Sequence, residues 1–146
     1  MKKAMYFACL LTLGCSPMRV LLPRTDSKSF KSIDFCELPK HKGDLVCVKG
    51  RYSGVEEYWS FKTTSVNGCP DKLDVELNLQ EMKYAKLGFD RKSNRVHNNY
   101  MNSYLLIEVI GTYSDQEKEY GHLGHNNSVF VVQEIVSVTV KRSKTF

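Results

Sequence analysis

The chain has no apolar run long enough to cross a bilayer. Its longest, Ala4 to Leu13, falls well short of the roughly 18–20 residues a spanning helix needs. It has no CxxC pair, no GxxxxGKS/T loop and no serine in a nucleophile-elbow context. Dithiol redox chemistry, nucleotide hydrolysis of the P-loop type and α/β-hydrolase catalysis therefore lack their usual residues. Charge of one sign is also scarce. The formal net charge is +5 over 146 residues, weaker than the footprint of most nucleic-acid binders.

What is present begins at the N-terminus. Lys2 and Lys3 precede the apolar run, and Gly14-Cys15 closes it. A basic start, an apolar core of about 7–15 residues and a small residue at the cut define a secretory leader. The segment resembles bacterial lipoprotein signals, which are cut before a cysteine that receives diacylglycerol. Gly14 fits that pattern; Thr12 and Leu13 depart from it, with Leu11 one position too early. The resemblance implies a leader over residues 1–14, lipidation of Cys15 and a location in the cell envelope, moored to the membrane through the N-terminal lipid. Ordinary cleavage near Gly14 or Ser16, giving a soluble secreted protein, is the alternative. Loss of Lys2 and Lys3 with the leader lowers the net charge to +3.

Residues 15–32 read as a tether, with Pro17, Pro23 and the polar run Arg24 to Ser29. The domain is expected over residues 33–146, within the usual size for one folded unit. Beyond Cys15 three cysteines remain: Cys36, Cys47 and Cys69. An odd number in an oxidising compartment implies one pair and one spare. Cys36 precedes the first strand and Cys69 sits in the turn Asn67-Gly68-Cys69-Pro70, so a Cys36–Cys69 bridge would staple the N-terminal segment to a hairpin end. Cys47, inside a strand, reads as a small apolar filler.

Periodicity predicts five strands. Leu45–Tyr52 places Val46, Val48 and Tyr52 on one face and Lys49 and Arg51 on the other. Tyr58–Thr64 is dense in aromatics and threonine. Leu73, Val75, Leu77 and Leu79 alternate with polar residues. Tyr104–Tyr113 is apolar enough to be central. Ser128–Lys141 is long enough to require a bend or bulge. Gln80–Leu87 predicts a helix stopped by Gly88, and Phe89–Asn102 predicts a loop. Three strands, one short helix and two strands give a mainly β fold, the five-stranded Greek-key barrel called the OB-fold.

From Cys36 to Val138 the chain resembles a loosely defined group of bacterial exported OB-fold proteins of the uncharacterised-lipoprotein type. The matching pieces are Cys36-Glu37-Leu38, Gly43-Asp44-Leu45 to Tyr52, Val109-Ile110-Gly111-Thr112-Tyr113, Tyr120-Gly121-His122-Leu123-Gly124 and Phe130 to Ile135. The resemblance implies that Gly50 lets the first strand curve and that the glycine-histidine block is the long loop before the last strand. Cys47 departs from the group, where a charged residue is more usual. Activity does not follow from the fold.

No catalytic residue set emerges. His122 and His125 lie three apart between glycines, but a metal needs a third ligand, so no metal or cofactor is expected. The carboxylate pairs Glu56-Glu57 and Asp74/Glu76, and Arg51, Arg91 and Arg95, match no nuclease spacing. The sequon Asn126-Asn127-Ser128 matters only in a eukaryotic secretory route. OB barrels bind single strands by stacking bases on aromatics beside a basic groove, and Tyr52, Tyr58, Trp59 and Phe61 fall where that face would be. The expected function is a non-enzymatic module that grips a protein, peptide or glycan through Tyr58, Trp59 and His122. A single-stranded nucleic-acid binder is the alternative, and a small metal-dependent hydrolase using His122 and His125 a weaker one.

Overall fold

A computed structural model describes residues 30–80, 82, 88–117 and 119–143. Cys15, the leader and most of the tether lie outside the described residues. Six strands run β1 (Lys31–Ile33), β2 (Leu45–Val55), β3 (Tyr58–Lys62), β4 (Val75–Asn78), β5 (Ser103–Ser114) and β6 (Ser128–Arg142), with helix α1 (Phe89–His97) between β4 and β5. The sheet order is β1-β2-β3-β4-β6-β5, and β2 also pairs with β5. That last pairing closes five strands into the OB-like barrel, with β1 added outside it in parallel to β2. Closure removes the free edges that five β-prone segments would otherwise expose.

β5 is the central strand the sequence led us to expect: it is paired along its length with β2 on one side and β6 on the other. Leu105, Ile107 and Val109 point inward with no exposed surface, and meet Val48, Phe61 and Phe130 in the core. β6 carries two irregularities opposite β5, where its register passes over Val136 and Gln133. An extra residue bends a strand and increases its twist, which is how fifteen residues follow the barrel wall. Gly50 is buried where β2 crosses the Phe61 ring; a Cβ there would overlap that ring and lie 2.7 Å from the Lys62 carbonyl. Glycine is required at this position of β2 because no side chain would fit.

Between β1 and β2 a short 3-10 segment, Phe35–His41, adds buried Phe35 and Leu38 to the core. The Asp34 side chain caps it, accepting a hydrogen bond from the Cys36 amide at 2.8 Å. Cys36 and Cys69 form a disulfide with Cα atoms 5.3 Å apart. Cys47 is a buried free thiol.

Three features differ from the sequence reading. β1 draws Lys31 and Ser32, read as the end of the tether, into the sheet. The segment Phe89–Asn102, expected to be a loop, begins with α1. Gly88, expected to stop a helix, is instead the residue from which α1 starts, at φ 83°. The helix expected over Gln80–Leu87 falls largely outside the described residues. The composition of α1 carries no helical stripe. Only Phe89 and Val96 are buried, seven residues apart, with six polar residues between them. A nine-residue helix of this kind is marginal alone and is held by packing on the barrel.

Candidate ligand-binding site

Successive residues of a strand face opposite sides, and β3 uses both. Trp59 and Phe61 point into the barrel; Tyr58 and Ser60 point out. Trp59 tilts against Tyr52 with ring centroids 5.2 Å apart and stacks on the His97 ring of α1 at 5.8 Å. Its indole N–H donates to the Glu56 carbonyl at 2.7 Å. That bond pins the β2–β3 turn, where Glu56 holds a left-handed φ of 53°.

The outer face of β3 meets residues 122–126 of the connection from β5 to β6. Tyr58 is flanked by two imidazoles, His122 at 5.1 Å and His125 at 5.4 Å, both edge-on to its ring. His122 Nε2 also lies 3.1 Å from the Glu57 carboxylate. Of the three residues expected to grip a ligand, Tyr58 and His122 are therefore together, while Trp59 faces the other way. Leu123, between the two histidines, is 83% exposed and adopts φ 52°. A left-handed, solvent-facing leucine is an uncommon arrangement, and it stands at the tip of the loop.

Asn126 anchors this loop. It is 1% exposed. Its Oδ1 accepts from Ser60 Oγ at 2.6 Å. Its amide donates to the Trp59 carbonyl at 3.0 Å and to Glu76 Oε2 at 2.5 Å. Its backbone exchanges two hydrogen bonds with Tyr120, both 3.0 Å. β3 and β4 pair at one register position, Phe61 with Val75, so Asn126 supplies polar partners where the two strands part. The sequon asparagine is thus an internal bracket and not a surface acceptor. Asn127 adds bonds to the Asp74 amide and the Lys72 carbonyl, each 3.2 Å.

Beside the bracket lies a cavity of about 520 Å³ between β4, the start of α1 and the Tyr120-Gly121 corner. Glu76, Asn78, Gln80 and Asp90 give it polar walls, and Phe89 and Tyr120 aromatic ones. Burial pushes the Glu76 carboxyl above its ordinary range, while the Asn126 amide and His125 pull it back. Gly121, at φ 72°, is needed here: a Cβ would come within 2.6 Å of Glu76 Oε2 and 2.8 Å of Asn126 Nδ2.

Elsewhere Cys47 is held as a thiol. Burial, then the charge of Glu108, push it up to about 11, and its Sγ lies 3.8 Å from Glu108 Oε1. Among the described residues no group of three or more histidine, cysteine, aspartate or glutamate side chains is arranged to hold a metal ion. Ser60, Glu76, Gly121 and Asn126 were not singled out by sequence as parts of this site. Only the glycines at 121 and 124 hinted at a loop that must turn tightly against something.

No family model, no curated protein and no solved structure matches this chain.

Proposed function

We propose that this protein is a non-enzymatic binding module of a cell envelope, exported by its N-terminal leader and moored to a membrane through lipid on Cys15. Its ligand is a protein, peptide or glycan, taken on the outer face of β3 and the long loop that meets it. One observation carries the binding half: Tyr58 is held between His122 and His125, and the same loop carries the exposed, left-handed Leu123. Residues kept in sparsely populated backbone conformations cluster at binding sites. The adjoining cavity supports the same reading, since carboxylates and carboxamides flanked by aromatic rings suit hydroxyl-rich or cationic groups. The export half rests on the leader and on the Cys36–Cys69 bridge, which is compatible with an oxidising compartment.

Several features weigh against single-stranded nucleic acid on this face. Three of the four aromatics that would stack bases are turned inward: Phe61 is buried, and Tyr52 and Trp59 pack against the core. Glu57 and Glu76 would meet the phosphates with like charge.

Two experiments separate the halves. Radiolabelled palmitate should enter the protein and fail to enter Cys15→Ser; labelling that persists in the variant removes the anchor. Peptide and glycan arrays should show binding that Tyr58→Ala and Leu123→Ser abolish without changing the thermal melt. Binding untouched by both variants removes the site.

A further inference from the structure

We infer that a second groove, between α1 and the C-terminal half of β6, is a binding site for a phosphate-bearing anion. Basic residues that lie far apart in sequence, Arg91 to Arg95 and Arg142, meet there. Arg91, Lys92 and Arg95 of α1 face Val138–Val140 of β6 across a cavity of about 520 Å³. Arg95 and Val140 continue into a second lobe of about 290 Å³ that ends at Arg142, with Asn99 and Ser103 as polar neighbours. Arg91 and Arg95 are one helical turn apart and so share a face.

Among the described residues, the charges in this groove are all of one sign, and no acidic residue lines either lobe. Asp90, the acidic residue of α1, lines the other cavity. None of Arg91, Arg95 and Arg142 pairs with a carboxylate among the described residues. Lys92 is spent on the protein, its ammonium donating to the Val138 carbonyl at 2.6 Å, so it adds positive potential at the wall while the arginines keep their donors free. Like charges one turn apart destabilise a helix, and a bound anion would relieve that repulsion.

The guanidinium fork matches the oxygens of a phosphate, which it can bind through two parallel hydrogen bonds. Two connected lobes with arginines at the middle and both ends suit a ligand with more than one phosphate. Among the described residues no aromatic ring lines the groove, and single-stranded nucleic acid is held by base stacking on such rings. A compact phosphate compound and a phospholipid headgroup present the same chemistry. This site is separate from the β3 face and stands whether or not that face binds a ligand.

The test uses the full chain, with tripolyphosphate as the soluble probe and vesicles of phosphatidylglycerol or phosphatidylcholine as the membrane probe. Tripolyphosphate should raise the melting temperature, because a ligand that binds only the folded state stabilises it. Arg95→Gln should weaken binding by about tenfold, as for loss of a charged hydrogen bond, and Arg91→Gln/Arg95→Gln/Arg142→Gln should abolish it. Arg91 and Arg95 are exposed, so the melt without ligand should not change. A preference for phosphatidylglycerol over phosphatidylcholine that vanishes in the triple variant, without tripolyphosphate binding, supports the site and names a headgroup as its ligand. Neither probe binding, or a triple variant binding as tightly as the parent, overturns the proposal. An oligonucleotide bound more tightly than tripolyphosphate through these arginines overturns it in favour of nucleic acid.

Discussion

One carboxamide holds Ser60 of β3 and Glu76 of β4 together: Asn126 accepts from the first at 2.6 Å and donates to the second at 2.5 Å. The long loop is thereby locked across the least-paired seam of the barrel. Asn126→Ala should leave the Ser60 hydroxyl, the Trp59 carbonyl and the Glu76 carboxyl short of a partner. Each unsatisfied buried group costs about 1–3 kcal/mol, and water entering from the cavity side offsets part of that. A loss of about 2–4 kcal/mol in a urea melt is expected. A change below about 0.5 kcal/mol, the scale of an ordinary surface substitution, would mean the bracket is not structural.

Glu76 gives the fold a pH signature. Its carboxyl is raised above the ordinary range by burial, so the folded state holds its proton to higher pH than the unfolded chain does. Stability from this group is full at pH below the unfolded value and is lost as pH rises through the folded one. Glu76→Gln keeps an oxygen to accept from Asn126 and removes the charge. The variant should match or exceed the parent at neutral pH, and its stability should change less between acid and neutral conditions. A steeper dependence in the variant would show the sign to be wrong.

Gly121 sets the loop corner at φ 72°. Gly121→Ala adds left-handed strain of about 1–2 kcal/mol and pushes on Glu76 and Asn126. Hydrogen exchange at the Tyr120 and Asn126 amides, which bond each other's carbonyls, should accelerate more than exchange in β5. Equal acceleration everywhere would indicate global loss of stability and not loosening of the loop.

The cysteines should behave as two classes. Cys47, 3% exposed with its pKa raised to about 11, should resist alkylation at pH 8 until the protein unfolds. Reduction of Cys36–Cys69 releases a 33-residue separation, for which the chain-entropy relation gives a loss of about 3–4 kcal/mol. Mass spectrometry after alkylation with and without reductant checks both. Rapid native labelling of Cys47 would contradict its placement.

Much of the barrel could be read from the sequence because its strands carry strong period-two patterns. Leu73, Val75, Leu77 and Leu79 announce β4 on alternation alone, and the length of β6 announced its irregularities. The Cys36–Cys69 bridge followed from where its two cysteines sit. β1 could not be read: Lys31-Ser32-Ile33 is too short to carry a period and exists because β2 offers it an edge. Helix α1 failed for a similar reason, since two apolar residues cannot define a stripe. The site was half visible. Tyr58 and His122 stand out in the sequence by their chemistry, but their contact joins residues that only tertiary packing brings together. The Asn126 bracket left no sequence signal, because a buried asparagine and an exposed one look alike in one chain.

Photo-crosslinking in living cells examines the binding face itself. A benzophenone side chain would replace Leu123 at the loop tip, Val55 at the neighbouring hairpin end, or Val66, which is fully exposed in the connection between β3 and β4. A discrete adduct from positions 123 and 55, lost with Tyr58→Ala and missing from position 66, is the expected result. Equal adducts from all three positions, or adducts from position 66 alone, would contradict a ligand-binding role for the β3 face.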